Sequence, residues 1–284
     1  PASPEVNAKG KNQKGDARYQ RFAFTFCLLL FAVAFCHMQI IQRIPFTIHH
    51  FATLGSTNDY LKTLADAQEF TCVTADEQTA GRGRYTRAWH SAPGEGLYLS
   101  VLLRPKAAKV SLLSLAAASA VAETLQAHGG SDIDIKWPND VLLGERKVCG
   151  ILLEAVGNET SLRVIVGIGV NLNHTSFPSE LSETATSLRL MTGNEVEVAS
   201  FRDTLLQRVL HWYQAWQQDA QSIVQRWQEL SSFAYGQEVQ VMLASGQLSG
   251  VTSGLTDDGA LRLRLPTGEE QIILAGDVMR LRRH

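Results

Sequence analysis

"GQEVQVMLASGQLSGVTSGLTDDGALRLRLPTGEEQIILAGDVMRLRR", residues 236–283, marks a change of texture in the chain. Short β-favouring runs alternate there with Gly, Asp-Gly and Thr-Gly turns, which reads as a small β-barrel of SH3-like size. Upstream of Gly236, helical and strand patterns are interleaved. "FRDTLLQRVLHWYQAWQQ", 201–218, spaces Phe201, Leu205, Val209, Trp212 and Trp216 along one helix face, and a second helix runs on to Leu230. Aromatic residues at that spacing form core rather than a ligand box. "SLRVIVGIGVNLN", 161–173, is a strand, and the turn "GERK" joins a strand at Val141–Leu143 to "VCGILLEAV", 148–156, as a hairpin.

Further strands are expected at 46–51, 71–75, 97–104 and Ile133–Lys136. "VSLLSLAAASAVAETLQAHGG", 110–130, is a helix ended by Gly129 and Gly130. "STNDYLKTLADA", 56–67, offers Ser56 or Thr57 as N-cap and places Tyr60, Leu61, Leu64 and Ala65 on one helical face. The fold class is therefore α+β: a body at 46–235, a C-terminal barrel at 236–284, and an extension at 1–45 that stands outside the working fold.

With 284 residues, 45% of them hydrophobic, the chain can bury a full core. Its formal net charge of −2 argues against a dedicated nucleic-acid binder, so no nucleic-acid partner is expected. The four cysteines, Cys27, Cys36, Cys72 and Cys149, show no C-x-x-C spacing, which points to a reduced intracellular protein without a structural metal. The segment "FAFTFCLLLFAVAFC", 22–36, follows Lys9, Lys11, Lys14, Arg18 and Arg21 and looks like a secretory signal. It is short for a membrane span unless Met38 to Ile41 extend it, and Met38 also offers an alternative start.

Four stretches carry chemistry: "STN" at 56–58, "QTAGRGRYTRAW" at 78–89, "KWPNDVLLGERKVCGILLE" at 136–154 and "GIGVNLN" at 167–173. Each is weak alone. Gly167-x-Gly169 has Leu172 where a dinucleotide fingerprint wants a third glycine, and no G-x-x-x-x-G-K-[ST] occurs. In this order and spacing the four resemble the biotin protein ligases, which attach biotin to a lysine of a carrier domain. The resemblance runs from about residue 47 to the C-terminus. It implies a mixed-sheet catalytic domain of the biotin/lipoate-ligase type with an SH3-like barrel. The residues before 46 show no two-helix pattern with a turn, so the chain looks like the branch without an N-terminal DNA-binding domain.

The implied chemistry has two steps. Biotin's carboxylate attacks the α-phosphate of ATP, taken with Mg²⁺, and the resulting biotinyl-5′-AMP then acylates the lysine of a biotin carboxyl carrier protein, here that of acetyl-CoA carboxylase. Two anions must meet, and like charges 4 Å apart repel by ~4 kcal/mol at an effective dielectric near 20. A glycine-hinged arginine loop answers that need, since each guanidinium fork grips two oxygens. By resemblance, Arg84, Arg87, Trp89, Lys147 and Asn171 touch nucleotide or acyl-phosphate, and Lys136 and Asn139 lie beside them. Ser56, Thr57, Asn58 and Gln78 satisfy biotin's ureido edge with backbone at Gly150, while Arg82 and Gly83 lie along its tail. Arg84 and Lys147 also reach biotin.

Catalysis is expected from Lys147, Arg84, Arg87 and Asp140. Lys147 would stabilise charge between carboxylate and α-phosphate. Asp140 orients the incoming lysine rather than deprotonating it, because ordinary aspartate and lysine differ by ~6.5 pKa units, or roughly 9 kcal/mol. ATP and carrier place the enzyme in the cytoplasm, with membrane tethering through residues 22–41 as the alternative and no membrane partner otherwise. A homodimer is left open. The rival functions are a lipoate-type ligase and a biotin-sensing DNA-binding regulator.

Overall fold

The computed structural model describes Pro1 and residues 45–106, 109–158 and 161–280. The expectations for the extension, its apolar segment, Cys27 and Cys36 lie outside the described residues. Seven strands form a mixed sheet in the order β1 (Thr47–Leu54), β2 (Thr71–Gln78), β3 (Gly96–Leu103), β7 (Arg163–Asn171), β6 (Arg146–Val156), β5 (Asp140–Leu143), β4 (Ile133–Lys136). Only β1 and β2 run parallel; the remaining neighbours are antiparallel, including the expected hairpin of β5 and β6.

Alternation along the strands separates two faces. Cys72, Val101, Leu103, Val164 and Val166 join the main core beneath α2 (Leu112–Ala127); after the short α3 (Leu188–Thr192), α4 (Val198–Gln218) and α5 (Gln221–Leu230) pack on α2. Val73, Leu102 and Ile165 instead meet Leu61 of α1 (Thr57–Thr63) on the opposite face. Helix α1 covers only part of that face. The remainder is floored by Gly150, Gly167 and Gly169 and opens into a cavity.

Three local expectations are corrected. Helix α1 stops at Thr63 rather than 67, because Leu64 leaves helical geometry and the Arg163 guanidinium takes the carbonyls of Leu61 and Leu64 at 3.1 and 2.9 Å. Strands β1 and β2 run three residues past their expected ends, since their parallel pairing continues to Leu54↔Gln78. On α4 it is Tyr213 that is buried, its hydroxyl donating to Glu69 Oε1 at 2.7 Å. Trp212 sits at the edge, with its indole N–H directed to Glu123 Oε2 at 3.3 Å.

The C-terminal residues form a five-stranded antiparallel sheet, ordered β11 (Glu270–Ile273), β10 (Leu261–Arg264), β9 (Gly246–Leu255), β8 (Tyr235–Leu243), β12 (Asp277–Arg280). It is tied to the body by Trp137, whose indole N–H donates to the Gly259 carbonyl at 2.9 Å. Gly259 has φ +79°, and a Cβ there would stand 2.7 Å from Leu112 Cδ2. Trp137→Phe removes that bond while keeping an aromatic ring, and is expected to lower stability by about 1 kcal/mol. Trp137→Ala, which empties a buried site, should lose about 3–5 kcal/mol. Urea denaturation checks both, and unchanged stability in Trp137→Phe would show that the bond contributes nothing.

Candidate active site

At the polar end, Ser56 caps α1, its Oγ accepting from the Asp59 amide at 3.4 Å. Gln78, at the end of β2, accepts from the Thr57 amide at 2.8 Å and donates to Ser91 Oγ at 3.1 Å. Ser100 projects from β3 and lies 2.7 Å from Thr57 Oγ1 and 2.5 Å from Asn58 Oδ1. A hydroxyl has one proton and Asn58 Oδ1 can only accept, so Ser100 donates to it. The Asn58 amide nitrogen in turn donates to Glu154 Oε2 at 2.8 Å. Each buried polar group is therefore oriented by another.

The floor is glycine because side chains lie directly on it. A Cβ at Gly169 would stand 2.5 Å from Trp89 Nε1, and one at Gly150 would stand 2.9 Å from the same indole. A Cβ at Gly167 would collide with the Asn58 amide. The Gly-x-Gly that fails as a dinucleotide motif thus serves as close-approach surface.

Lys147 reaches this face through a β-bulge. Val141 pairs with Cys149 but Leu142 pairs with Lys147, so Val148 is the extra residue. Without it, alternation from Gly150 would turn Lys147 toward the core. With it, Lys147 Nζ stands 2.6 Å from Asp140 Oδ1 and 5.3 Å from the Trp89 ring centroid. Lys136 Nζ approaches the other Asp140 oxygen at 3.4 Å, so one carboxylate lies between two ammonium groups.

The Gly/Arg loop doubles back on itself. Arg82 bridges Ala88, Gly83 N donates to Arg87 O at 2.7 Å, and Arg84–Thr86 make one 3₁₀ turn. Tyr85 takes a left-handed φ of 54°. Its hydroxyl accepts from Arg84 at 3.0 Å, and its ring centroid lies 4.9 Å from the Arg84 guanidinium carbon. Arg82 pairs with Asp59 through two nitrogens and lies 3.7 Å from Glu154. Burial alone would raise the Asp59 carboxyl, but hydrogen bonds and charge from Lys62 and Arg82 hold it below the usual carboxylate range. Arg84 donates to Asn139 Oδ1, the Gly276 carbonyl and Asp277 Oδ1 at 3.2, 3.3 and 3.5 Å, and Arg87 pairs with Asp277 Oδ2 at 2.6 Å.

Every residue nominated from the sequence lines one cavity of about 490 Å³. Asn171 lines it with its amide nitrogen already donating to the Thr186 carbonyl at 3.0 Å. Residues 51–171 match the biotin/lipoate A/B protein ligase family, and residues 235–280 match the biotin protein ligase C terminal domain. The bifunctional ligase/repressor BirA of Bacillus spizizenii is 36% identical over 229 residues, 78% of this chain and 70% of that one. The chain belongs to the biotin protein ligase family. The biotin–[acetyl-CoA-carboxylase] ligase of Paracoccus denitrificans is 33% identical, covering 80% of this chain and 98% of its own. The solved biotin protein ligase of Aquifex aeolicus in complex with biotin and ATP superposes with a TM-score of 0.73 at 29% identity, covering 84% of this chain and 99% of that one. A lipoate-type ligase is not favoured.

Sequence reasoning missed Ser100, Glu154, Tyr85 and Asp277. Ser100 hides in an apolar strand, although the period-2 pattern could have placed it on the face of Leu102. It also missed His174, fully buried beside the cavity and stacked on Phe177 with centroids 4.9 Å apart. Burial, reinforced by neighbouring His90, lowers the His174 pKa to about 4. An unfolded histidine titrates near 6.5. As pH falls from about 6.5 toward about 4, the unfolded chain takes up a proton that the folded chain refuses, and stability declines. His174→Phe keeps the stack and should flatten that segment of the stability–pH curve, read by urea denaturation across the interval.

Proposed function

We propose that the chain condenses biotin with ATP to biotinyl-5′-AMP and transfers biotin to a lysine of the biotin carboxyl carrier protein of acetyl-CoA carboxylase. The observation that carries this reading is a single cavity with a neutral hydrogen-bonding end at Ser56–Asn58 and Gln78 and a cationic end at Lys147, Lys136, Arg84 and Arg87. The first end suits an apolar head group with one polar edge, whose unpaired burial would cost ~1–3 kcal/mol per group. The second suits a carboxylate meeting a phosphate. Residues 46–235 carry the chemistry, and 236–284 close the cationic end.

In the first step a biotin carboxylate oxygen attacks the α-phosphorus, and the bond to the bridging oxygen of pyrophosphate breaks. Lys147 exchanges Asp140 for the oxygens on which charge builds, while Lys136 keeps Asp140 neutralised. Arg84 and Arg87 face the phosphates, Arg82 the tail of biotin, and Trp89, Asn139 and Asn171 the nucleotide. Gly83 and Gly150 offer backbone to biotin. Mg²⁺ would enter as the ATP complex and would offset phosphate charge there; Asp140 and Asp277 in the cavity are already paired with cations.

In the second step the carrier lysine gives one ammonium proton to solvent and attacks the acyl carbon as the amine; the bond to AMP breaks, and a second proton leaves to solvent. Asp140 orients the approaching ammonium. ATP and the carrier assign this work to the cytoplasm, and no described helix is long and apolar enough to cross a membrane.

Biotin-dependent exchange of pyrophosphate into ATP tests the first step, and Lys147→Ala should reduce it by at least about a hundredfold. Mass spectrometry of a carrier domain incubated with biotin, ATP and the protein should show one added biotinyl group. Exchange supported by lipoate and not by biotin would reverse the assignment.

A further inference from the structure

We propose that Asp277, at the start of β12, is a positioning residue for adenylation: it holds Arg84 and Arg87 at the cationic end of the cavity and so makes the C-terminal sheet part of the arginine loop's support. The proposal rests on the ligase reading given above and deepens it.

Both oxygens of Asp277 are engaged, Oδ2 with Arg87 at 2.6 Å and Oδ1 with Arg84 at 3.5 Å. The neighbouring Gly276 carbonyl accepts from the same Arg84 nitrogen, as does Asn139 Oδ1 from the body of the protein. Three acceptors thus gather on one end of a planar guanidinium, which fixes its plane. Arg87 is 69% exposed and lies 6.0 Å from the Tyr85 ring centroid, so the 2.6 Å pair with Asp277 is its short contact and restrains its long side chain.

Asp277 itself stands on firm backbone. A Cβ at Gly276 would lie 2.8 Å from Val241 Cγ1 and 3.0 Å from the Met242 carbonyl, and Val278 is 1% exposed within the core. The carboxylate side chain is 27% exposed and faces the cavity that Lys136 and Lys147 also line.

The experiment compares Asp277→Asn with the parent in biotin-dependent pyrophosphate exchange, alone and in an Arg87→Gln background. The single variant should raise KM for ATP roughly tenfold, the scale of one charge-assisted hydrogen bond, with KM for biotin nearly unchanged. In the Arg87→Gln background the same change should add at most about twofold, since its main partner is gone. Asp277→Glu should recover part of the loss. Equal, multiplying losses in both backgrounds would overturn the proposal, as would a lower KM for ATP, which would make Asp277 a competitor of the phosphates. Trypsin cleavage after Arg84 and Arg87 gives a second reading that needs no activity. It should accelerate severalfold in Asp277→Asn, and an unchanged rate overturns the proposal even if the parent proves inactive, an outcome that would sink the ligase reading separately.

Discussion

One extra residue in one strand decides where the chemistry of this protein can occur. Val148 breaks the alternation of β6, so Lys147 and Gly150 face the same way although an odd number of positions separates them. Gly150 in turn pairs with Asp140 across β5, which places the carboxylate against the lysine, and with Gly169 across β7, which extends the bare floor. A regular strand would bury an ammonium in the core that Val148 and Cys149 now occupy, at a desolvation cost no nearby carboxylate would offset. The bulge is therefore a condition of the fold as much as of the site.

Around that floor the cations are matched by carboxylates in three sets. Asp140 serves Lys147 and Lys136, Asp59 and Glu154 serve Arg82 and Lys62, and Asp277 serves Arg84 and Arg87. Cations crowded into one cavity would otherwise repel one another by several kcal/mol at these separations. Each set is partly exposed, so its pairs contribute little to stability individually. That weakness suits the chemistry, because a ligand phosphate or carboxylate can replace a resident carboxylate without the loss that breaking a buried pair would bring.

Much of this was legible in the sequence, and the rest was hidden for identifiable reasons. The hairpin of 141–156 and the passage to an all-β texture at 236 are set by local turn chemistry and side-chain period, which a sequence displays. The gathering of Ser56–Asn58, Gln78, Arg84 and Lys147 was implied by the family resemblance that the motifs carry together. What stayed hidden depends on pairing across space. The bulge exists only relative to the partner strand, since "RKVCG" reads as an ordinary strand start. The end of α1 is set by Arg163, a residue 102 positions from Leu61. Tyr213 displaces Trp212 from the core because Glu69 waits for its hydroxyl. Asp277 opens a short strand with no motif of its own, and its value comes from a loop nearly two hundred residues upstream.

The segment "KWPND" shows how body and C-terminal sheet come to act together. Trp137 points to one side and donates to Gly259 of the C-terminal sheet; Asn139 accepts from Arg84, which the same sheet grips through Gly276 and Asp277; Asp140 holds Lys147. Asn139 is fixed independently, its amide donating to the Ile151 carbonyl at 2.8 Å while its own carbonyl accepts from the Ile151 amide at 3.0 Å. Three residues within four positions therefore reach the module, the loop and the reactive lysine from one short turn anchored on β6. A displacement of the C-terminal sheet must strain this turn or release Arg84, and either change alters the cationic end before it reaches the polar one. The module's effect on the site is accordingly directional, falling on the nucleotide's end of the cavity and sparing the end built from Ser56, Asn58 and Ser100.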